Sequence, residues 1–324
     1  MHPALSIIVF TSLSGTGLGL GFWTALTAHA APPLLIAIAG LLAAMLTSIG
    51  LVSSLLHLRH PSRAWRAFSQ WRSSWLSREG ILAPLCVISM VLLGPGAFTT
   101  APLGSIPVVL VLLLAPAVIL TTAMIYAQLR AVPAWRTWLT PVMFLLFGAS
   151  SGLHVLMTAT VWYHGDLHPI PLILGAGTDT AANREGPLLT AIIINTMAWG
   201  TMAAWWLRRD RIGTGQSTLA TATRLASGHR ITQLDPPHTE KNYLQTEMGY
   251  HIARKHALSL RWIALVLGFL VPTLAAGSLL ILPTTMAPPV LTVLSVVHGT
   301  GIMVSRWLFF AEATHVQSLY YHSG

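Results

Sequence analysis

The chain has 324 residues, of which 54% are hydrophobic and only 8% charged, with a mean hydropathy of +0.67 and a formal net charge of +9. A soluble domain carries about 25% charged residues, so a water-soluble fold is excluded: too little polar surface is present to cover a core. The single cysteine, Cys86, excludes an intrachain disulfide, a Cys-based zinc site and an iron–sulfur cluster held by this chain alone.

A membrane-crossing helix needs about 20 apolar residues. The hydropathy pattern predicts eight, over 4–28, 33–57, 80–97, 107–129, 139–163, 187–207, 262–282 and 289–310. The predicted fold is therefore all-α, a single polytopic membrane domain. The first run lacks a basic n-region and reads as a retained helix. It carries Ser14-Gly15-Thr16-Gly17-Leu18-Gly19-Leu20-Gly21. The pairs Gly15/Gly19 and Gly17/Gly21 suit close helix packing, or a groove for a flat cofactor or an isoprenoid tail.

The second span ends on Ser53-Ser54-Leu55-Leu56-His57-Leu58, followed by Arg59-His60-Pro61-Ser62-Arg63-Ala64. An imidazole at His57 suits hydrogen bonding to a quinone carbonyl and proton transfer, because it titrates near neutrality. An interfacial histidine facing headgroups is the alternative. Glu79 opens the third span, either as a helix cap or lining the same pocket as His57. That span is short, carries Pro84 and ends in the breaker Gly94-Pro95-Gly96. Pro116 and Pro272 are expected to kink their helices.

His154 in the fifth span and His298 in the eighth each lie about 13 Å below the same surface, from their position along the helix. Small neighbours surround them: Ser150, Ser151, Gly152, Gly299 and Gly301. Matched histidines on two helices are what a bis-imidazole b-type haem requires. Separate histidines bonded to neighbouring helices are the other reading. Arg306 and Glu312, near the end of the last span, are expected to pair. No nucleophile–base set, HExxH, phosphate loop or paired-carboxylate site appears, so the chain has no visible means of bond-making chemistry alone.

Orientation follows from charge. Loops 58–79, 130–138 and 208–261 hold 16 of the 18 lysines and arginines, and all fall on one side of an eight-span chain. That side is expected to be cytoplasmic, with both termini. The same distribution explains the sequence pI of about 10.6 without nucleic acid. The long loop 208–261, with Asp235-Pro236-Pro237, reads as a docking surface or a linker. Loop 164–186, rich in Gly and Pro, reads as a lid. A stand-alone transporter is the alternative class; it would show broken helices or an ionisable pair at the midplane.

Several segments in order resemble the membrane anchor subunits of dimethyl sulfoxide reductase and other molybdenum enzymes. They are Leu55-Leu56-His57-Leu58 with Pro61-Ser62-Arg63-Ala64, Val132-Pro133-Ala134-Trp135 before Trp138-Leu139-Thr140-Pro141, and Ser305-Arg306-Trp307-Leu308-Phe309. The long loop, with Glu247-Met248-Gly249-Tyr250 and Ala253-Arg254-Lys255-His256-Ala257, is similar to the sulfite dehydrogenase branch. The resemblance implies a bacterial inner-membrane complex. In it a molybdopterin subunit reacts with substrate, an iron–sulfur subunit relays electrons, and the anchor exchanges them with ubiquinone or menaquinone. It further implies partners on the cytoplasmic side, lipid around the spans, and a quinone site at His57; Arg63 and Glu79 are expected to line that quinone site beside it. Sulfite:quinone oxidation is the expected activity, with quinol oxidation of the dimethyl sulfoxide reductase type as the alternative. The resemblance does not extend to His154 and His298, so haem there would mark a haem-containing branch.

Overall fold

The computed structural model describes residues 4–56, 61–99, 104–165, 185–213, 255–281 and 283–316. Eight helices are long and apolar enough to cross a membrane: α1 (Leu5–Leu26), α2 (Pro33–Leu55), α3 (Trp75–Ala97), α4 (Ser105–Ala127), α5 (Leu139–His164), α6 (Glu185–Ile212), α7 (Ala257–Leu279) and α8 (Ala287–Ala311). No strand occurs among the described residues. Helices are what lipid permits, because each satisfies its own backbone polar groups where water cannot. Buried hydroxyls are satisfied in the same local way. Thr11, Ser14, Thr24 and Thr47 each donate to the carbonyl four residues back.

Helix α1 is the hub and packs against α2, α4, α5 and α8. Its glycines make this possible. A side chain at Gly152 of α5 would run into the backbone of Gly19 and Leu20, so these two helices meet backbone to backbone. Trp23 Nε1 then reaches the Ala149 carbonyl at 2.8 Å. The small-residue pattern of the first span is thus used for packing.

The third span departs from expectation at both ends. Ser74 caps it, accepting from the Ser77 N–H at 3.4 Å, so it starts at Trp75 and not at 80. It also continues through Pro95 to Ala97, so Gly94-Pro95-Gly96 does not break it. The earlier start places Glu79 one turn inside the helix and removes it from the capping position.

In α7 a π-helical turn, Val266–Leu270, precedes Pro272. Proline has no N–H and its ring crowds the carbonyl four residues earlier, which here is Gly268. The widened turn relieves that clash. Gly268 also lies against Gly301 of α8, so the two backbones are close.

The end of the bundle that carries the arginine-rich connections will be called the basic end. There a 3-10 segment, Pro61–Gln70, leads into α3. Arg78 fixes the turn: its Nε and Nη2 donate to the carbonyls of Trp71 and Arg72 at 3.0 and 2.7 Å, and it lies 4.2 Å from the centroid of Trp75. Arg208 donates to the carbonyls of Pro133 and Arg136, both at 3.1 Å, tying α6 to the α4–α5 connection. Arg261 bridges Asp210 at 2.7 Å and Glu312 at 3.0 Å, joining the ends of α6, α7 and α8.

Candidate functional site

The basic half of the interior holds the polar side chains that packing does not explain. Glu79 is buried one turn into α3, and Thr122 of α4 donates its hydroxyl to Glu79 Oε1. Tyr126 follows Thr122 one helical turn on, so both lie on the same face of α4. Tyr126 sits in an aromatic group with Trp135, Phe144, Phe309 and Phe310 at centroid distances of 5.2–5.9 Å. It also packs on Phe144, the ring over which Arg306 lies. Trp135 stacks on Phe309 and donates from Nε1 to the Phe309 carbonyl at 2.9 Å. Two of the segments singled out in the sequence, Val132–Trp135 and Ser305–Phe309, therefore meet at this point.

Arg306 departs from expectation. It is 1% exposed, and its Nε and Nη1 have no hydrogen-bond partner among the described residues. Its guanidinium lies over the ring of Phe144, 3.6 Å from the centroid. The expected pair with Glu312 does not form. Glu312 is taken by Arg261, and its backbone carbonyl by Arg209 at 2.8 Å. The reason is geometric: six residues along a helix turn the two side chains to different faces. Burial holds the Glu312 carboxyl above the ordinary carboxylate range, against the lowering effect of Arg261. Trp205 of α6 packs on Phe309 at 5.2 Å and also leaves its Nε1 without a partner among the described residues.

His154 and His298 do come together, as their matched depths suggest, but not in the manner a haem requires. Their rings are nearly parallel, 12° apart, with centroids at 4.5 Å. Two axial imidazoles point their nitrogens at one iron from opposite faces of a flat macrocycle, about 4 Å apart given metal–nitrogen bonds of about 2 Å. Stacked rings leave no space for that iron or its porphyrin. The nitrogens are also in use. His298 Nδ1 lies 2.6 Å from the Gly268 carbonyl, and its Nε2 lies 3.2 and 3.1 Å from the hydroxyls of Ser150 and Ser151. His154 Nδ1 lies 2.9 Å from the Ser150 carbonyl. A neutral His298 protonated at Nδ1 satisfies this set: it donates to Gly268 and accepts from Ser151, while Ser150 donates to Asn195. Pro272 explains the first bond, since it deprives Gly268 of the usual donor four residues on. As placed, the residues do not fit a bis-imidazole haem; they form a stacked pair whose hydrogen bonds join α5, α7 and α8. Among the described residues no group of three or more His, Cys, Asp or Glu is placed to hold a metal ion.

Of the residues expected to bind quinone, His57 lies outside the described residues. Arg63 falls in the 3-10 segment, where only its backbone is described. Glu79 alone is placed in full. Most of loop 164–186 and most of loop 208–261 also lie outside the described residues. Sequence reasoning missed Thr122, Tyr126 and Trp205. A signal for the first two was present: polar side chains four residues apart on one face of an otherwise apolar helix.

Comparison with known proteins agrees with the architecture. The family model for the DMSO reductase anchor subunit (DmsC) matches residues 1–311. The chain is also 33% identical, over 344 aligned positions, to a sulfite dehydrogenase subunit of Allochromatium vinosum, covering 100% of this chain and 99% of that protein.

Proposed function

The chain belongs to the DMSO reductase anchor subunit family, and from that premise we propose that it is the quinone-reactive anchor of a sulfite:quinone oxidoreductase in a bacterial inner membrane. Membership makes it a membrane subunit of an oxidoreductase complex and displaces the transporter reading. In the proposed complex, catalytic molybdopterin and iron–sulfur partners dock at the basic end, on the cytoplasmic face, as the distribution of arginines favours. The name of the relative supports sulfite as the partner's substrate. Sulfite and water give sulfate, two protons and two electrons; quinone takes up two electrons and two protons to become quinol.

The observation that carries the quinone reading is Glu79. A carboxyl buried in the membrane interior is costly and marks a functional site by default. Glu79 stands at the basic end, where the 3-10 segment Pro61–Gln70, which includes Arg63, leads into α3. In this site His57 and Glu79 exchange protons with the quinone oxygens and Arg63 adds positive charge. The test is His57→Ala in the assembled complex. Quinone-linked sulfite oxidation is expected to fall at least tenfold, while turnover with an artificial electron acceptor at the partner subunits persists. Unchanged quinone turnover would refute the assignment. The alternative, a quinol-oxidising anchor of the DMSO reductase type, is supported by the family itself. It uses the same site in reverse and is decided by whether sulfite reduces, or a sulfoxide oxidises, the quinone pool.

A further inference from the structure

We infer that the quinone headgroup is held between Glu79 and a second wall made by Arg306 and Trp205, whose unused N–H groups donate to its carbonyl oxygens. This rests on the quinone reading above and extends it to residues on α6 and α8.

Donors and acceptors are out of balance in this part of the bundle. A buried donor left without an acceptor is costly, and a buried cation without a counter-charge more so. Among the described residues four such atoms lie in the basic half: Arg306 Nε, Arg306 Nη1, Trp205 Nε1 and Ser12 Oγ, and the first three share an aromatic surround. Arg306 and Trp205 are joined through one aromatic group. Arg306 lies on Phe144, and both Phe144 and Trp205 pack on Phe309 at 5.6 and 5.2 Å. The stacking on Phe144 occupies the face of the guanidinium, whereas its hydrogen bonds lie in the plane. The edge is thus the unused part. Lipid phosphate does not fit, because Arg306 is enclosed by the bundle and only 1% exposed.

The missing partner is therefore a small acceptor that enters the protein, uncharged at rest and able to take on negative charge. A quinone has this chemistry. Its two carbonyl oxygens only accept, which matches surplus donors, and they gain negative charge as electrons arrive, which a fixed cation in a low-dielectric site stabilises. The product quinol has two hydroxyl donors and needs an acceptor. Glu79 supplies it, held by Thr122 one helical turn from Tyr126, which packs on the Phe144 ring beneath Arg306. Depth agrees: Glu79 and Arg306 lie about 6 and 7.5 Å from the basic ends of α3 and α8, at 1.5 Å per residue.

The test uses the full complex with its partner subunits. The probe is 2-heptyl-4-hydroxyquinoline N-oxide, a quinol analogue with an acidic oxygen, titrated by its fluorescence, alongside the KM for decylubiquinone. Arg306→Gln is expected to raise the dissociation constant of the probe tenfold or more and to raise the quinone KM. Arg306→Lys, which keeps a point charge without the planar fork, and Trp205→Phe are expected to raise both about threefold. Correct assembly is read from subunit ratio and iron content. Wild-type affinity in assembled Arg306→Gln overturns the inference. If Arg306→Gln does not assemble, the other two variants decide: weaker binding in either supports it, and wild-type binding in both overturns it. A wild-type complex that neither binds the probe nor reduces decylubiquinone would instead overturn the quinone reading beneath it.

Discussion

Replacing His298 with alanine separates a packing histidine from a haem ligand. The imidazole leaves three partners: the Gly268 carbonyl at 2.6 Å and the hydroxyls of Ser150 and Ser151 at 3.2 and 3.1 Å. Interhelical hydrogen bonds in membrane proteins average about 0.6 kcal/mol and reach about 1.7. Two such bonds contribute roughly 1–3 kcal/mol. The Gly268 bond belongs at the upper end, because Pro272 supplies no substitute donor. The vacated volume between α5, α7 and α8 adds a cavity cost, for a total of roughly 3–5 kcal/mol. His154→Ala is milder, about 1–2 kcal/mol, because the Ser150 carbonyl it contacts already accepts within the helix. The assay is the melting temperature of the purified complex, read as the fraction monodisperse after heating. His298→Ala is expected to melt several degrees lower than wild type, and His154→Ala in between. Reduced-minus-oxidised spectra of the wild type are expected to lack a b-type haem band from this chain. A haem band lost equally in both variants, or a His298→Ala complex as stable as wild type, would refute the reasoning.

Other expectations follow from the same geometry. Glu79→Gln keeps the hydrogen bond from Thr122 but removes the proton-accepting charge, so quinone-linked turnover should fall tenfold or more in a normally assembled complex; undiminished turnover would exclude Glu79 from the site. Gly152→Leu drives a side chain into the α1 backbone and should cost more than about 3 kcal/mol, preventing accumulation in the membrane, whereas Gly200→Leu, with open space around it, should accumulate normally. Reporter fusions after Gly324 and within residues 166–184 should report opposite sides, the first cytoplasmic. Arg261→Ala leaves the buried Glu312 carboxyl without its ion-pair partner. Burial already holds that carboxyl above its usual range, and a raised carboxyl stabilises the fold below its unfolded value and loses that contribution as pH rises through the folded one. The variant should therefore lose thermal stability relative to wild type as pH increases; a constant difference across pH would contradict this.

The eight helices were legible because each needs only a long apolar run, and hydropathy reads that directly. Their ends were less so. The third span starts five residues before the hydropathy threshold, since Ser74 sets its cap and an acidic residue, Glu79, is buried within it. Hydropathy counts a buried carboxyl as loop. The meeting of His154 and His298 was legible from equal depth, but their use was not: depth fixes distance along the membrane normal and says nothing about ring orientation. That orientation is set by Gly268, whose carbonyl is freed by Pro272 on a third helix. Arg306 invites pairing with Glu312, near it in sequence, whereas its guanidinium lies on the Phe144 and Phe147 rings of α5. Pairings between helices distant in sequence leave no local pattern.

The interior polar groups divide into two layers of different character. In the layer of His154 and His298, donors and acceptors nearly cancel: Ser150, Ser151, Gly268, Thr158 and Ser295 consume one another, and among the described residues Asn195 Nδ2 is a buried donor left over. Such a closed network holds helices in register and offers a ligand little. In the layer of Glu79 and Arg306 the groups are ionisable yet do not pair. The carboxyl is met only by the hydroxyl of Thr122, and the guanidinium only by aromatic faces, among the described residues. Placing Arg306 and Glu79 in direct contact would have cancelled both charges at lower cost. Their separation is stable only if something else compensates during part of the cycle, and a substrate that alternates between acceptor and donor as it gains electrons and protons does so at both ends. An apolar replacement of Arg306, such as Arg306→Leu, should therefore leave the anchor as stable as the wild type or more so, while quinone turnover is lost. Loss of stability in parallel with turnover would assign Arg306 to the architecture.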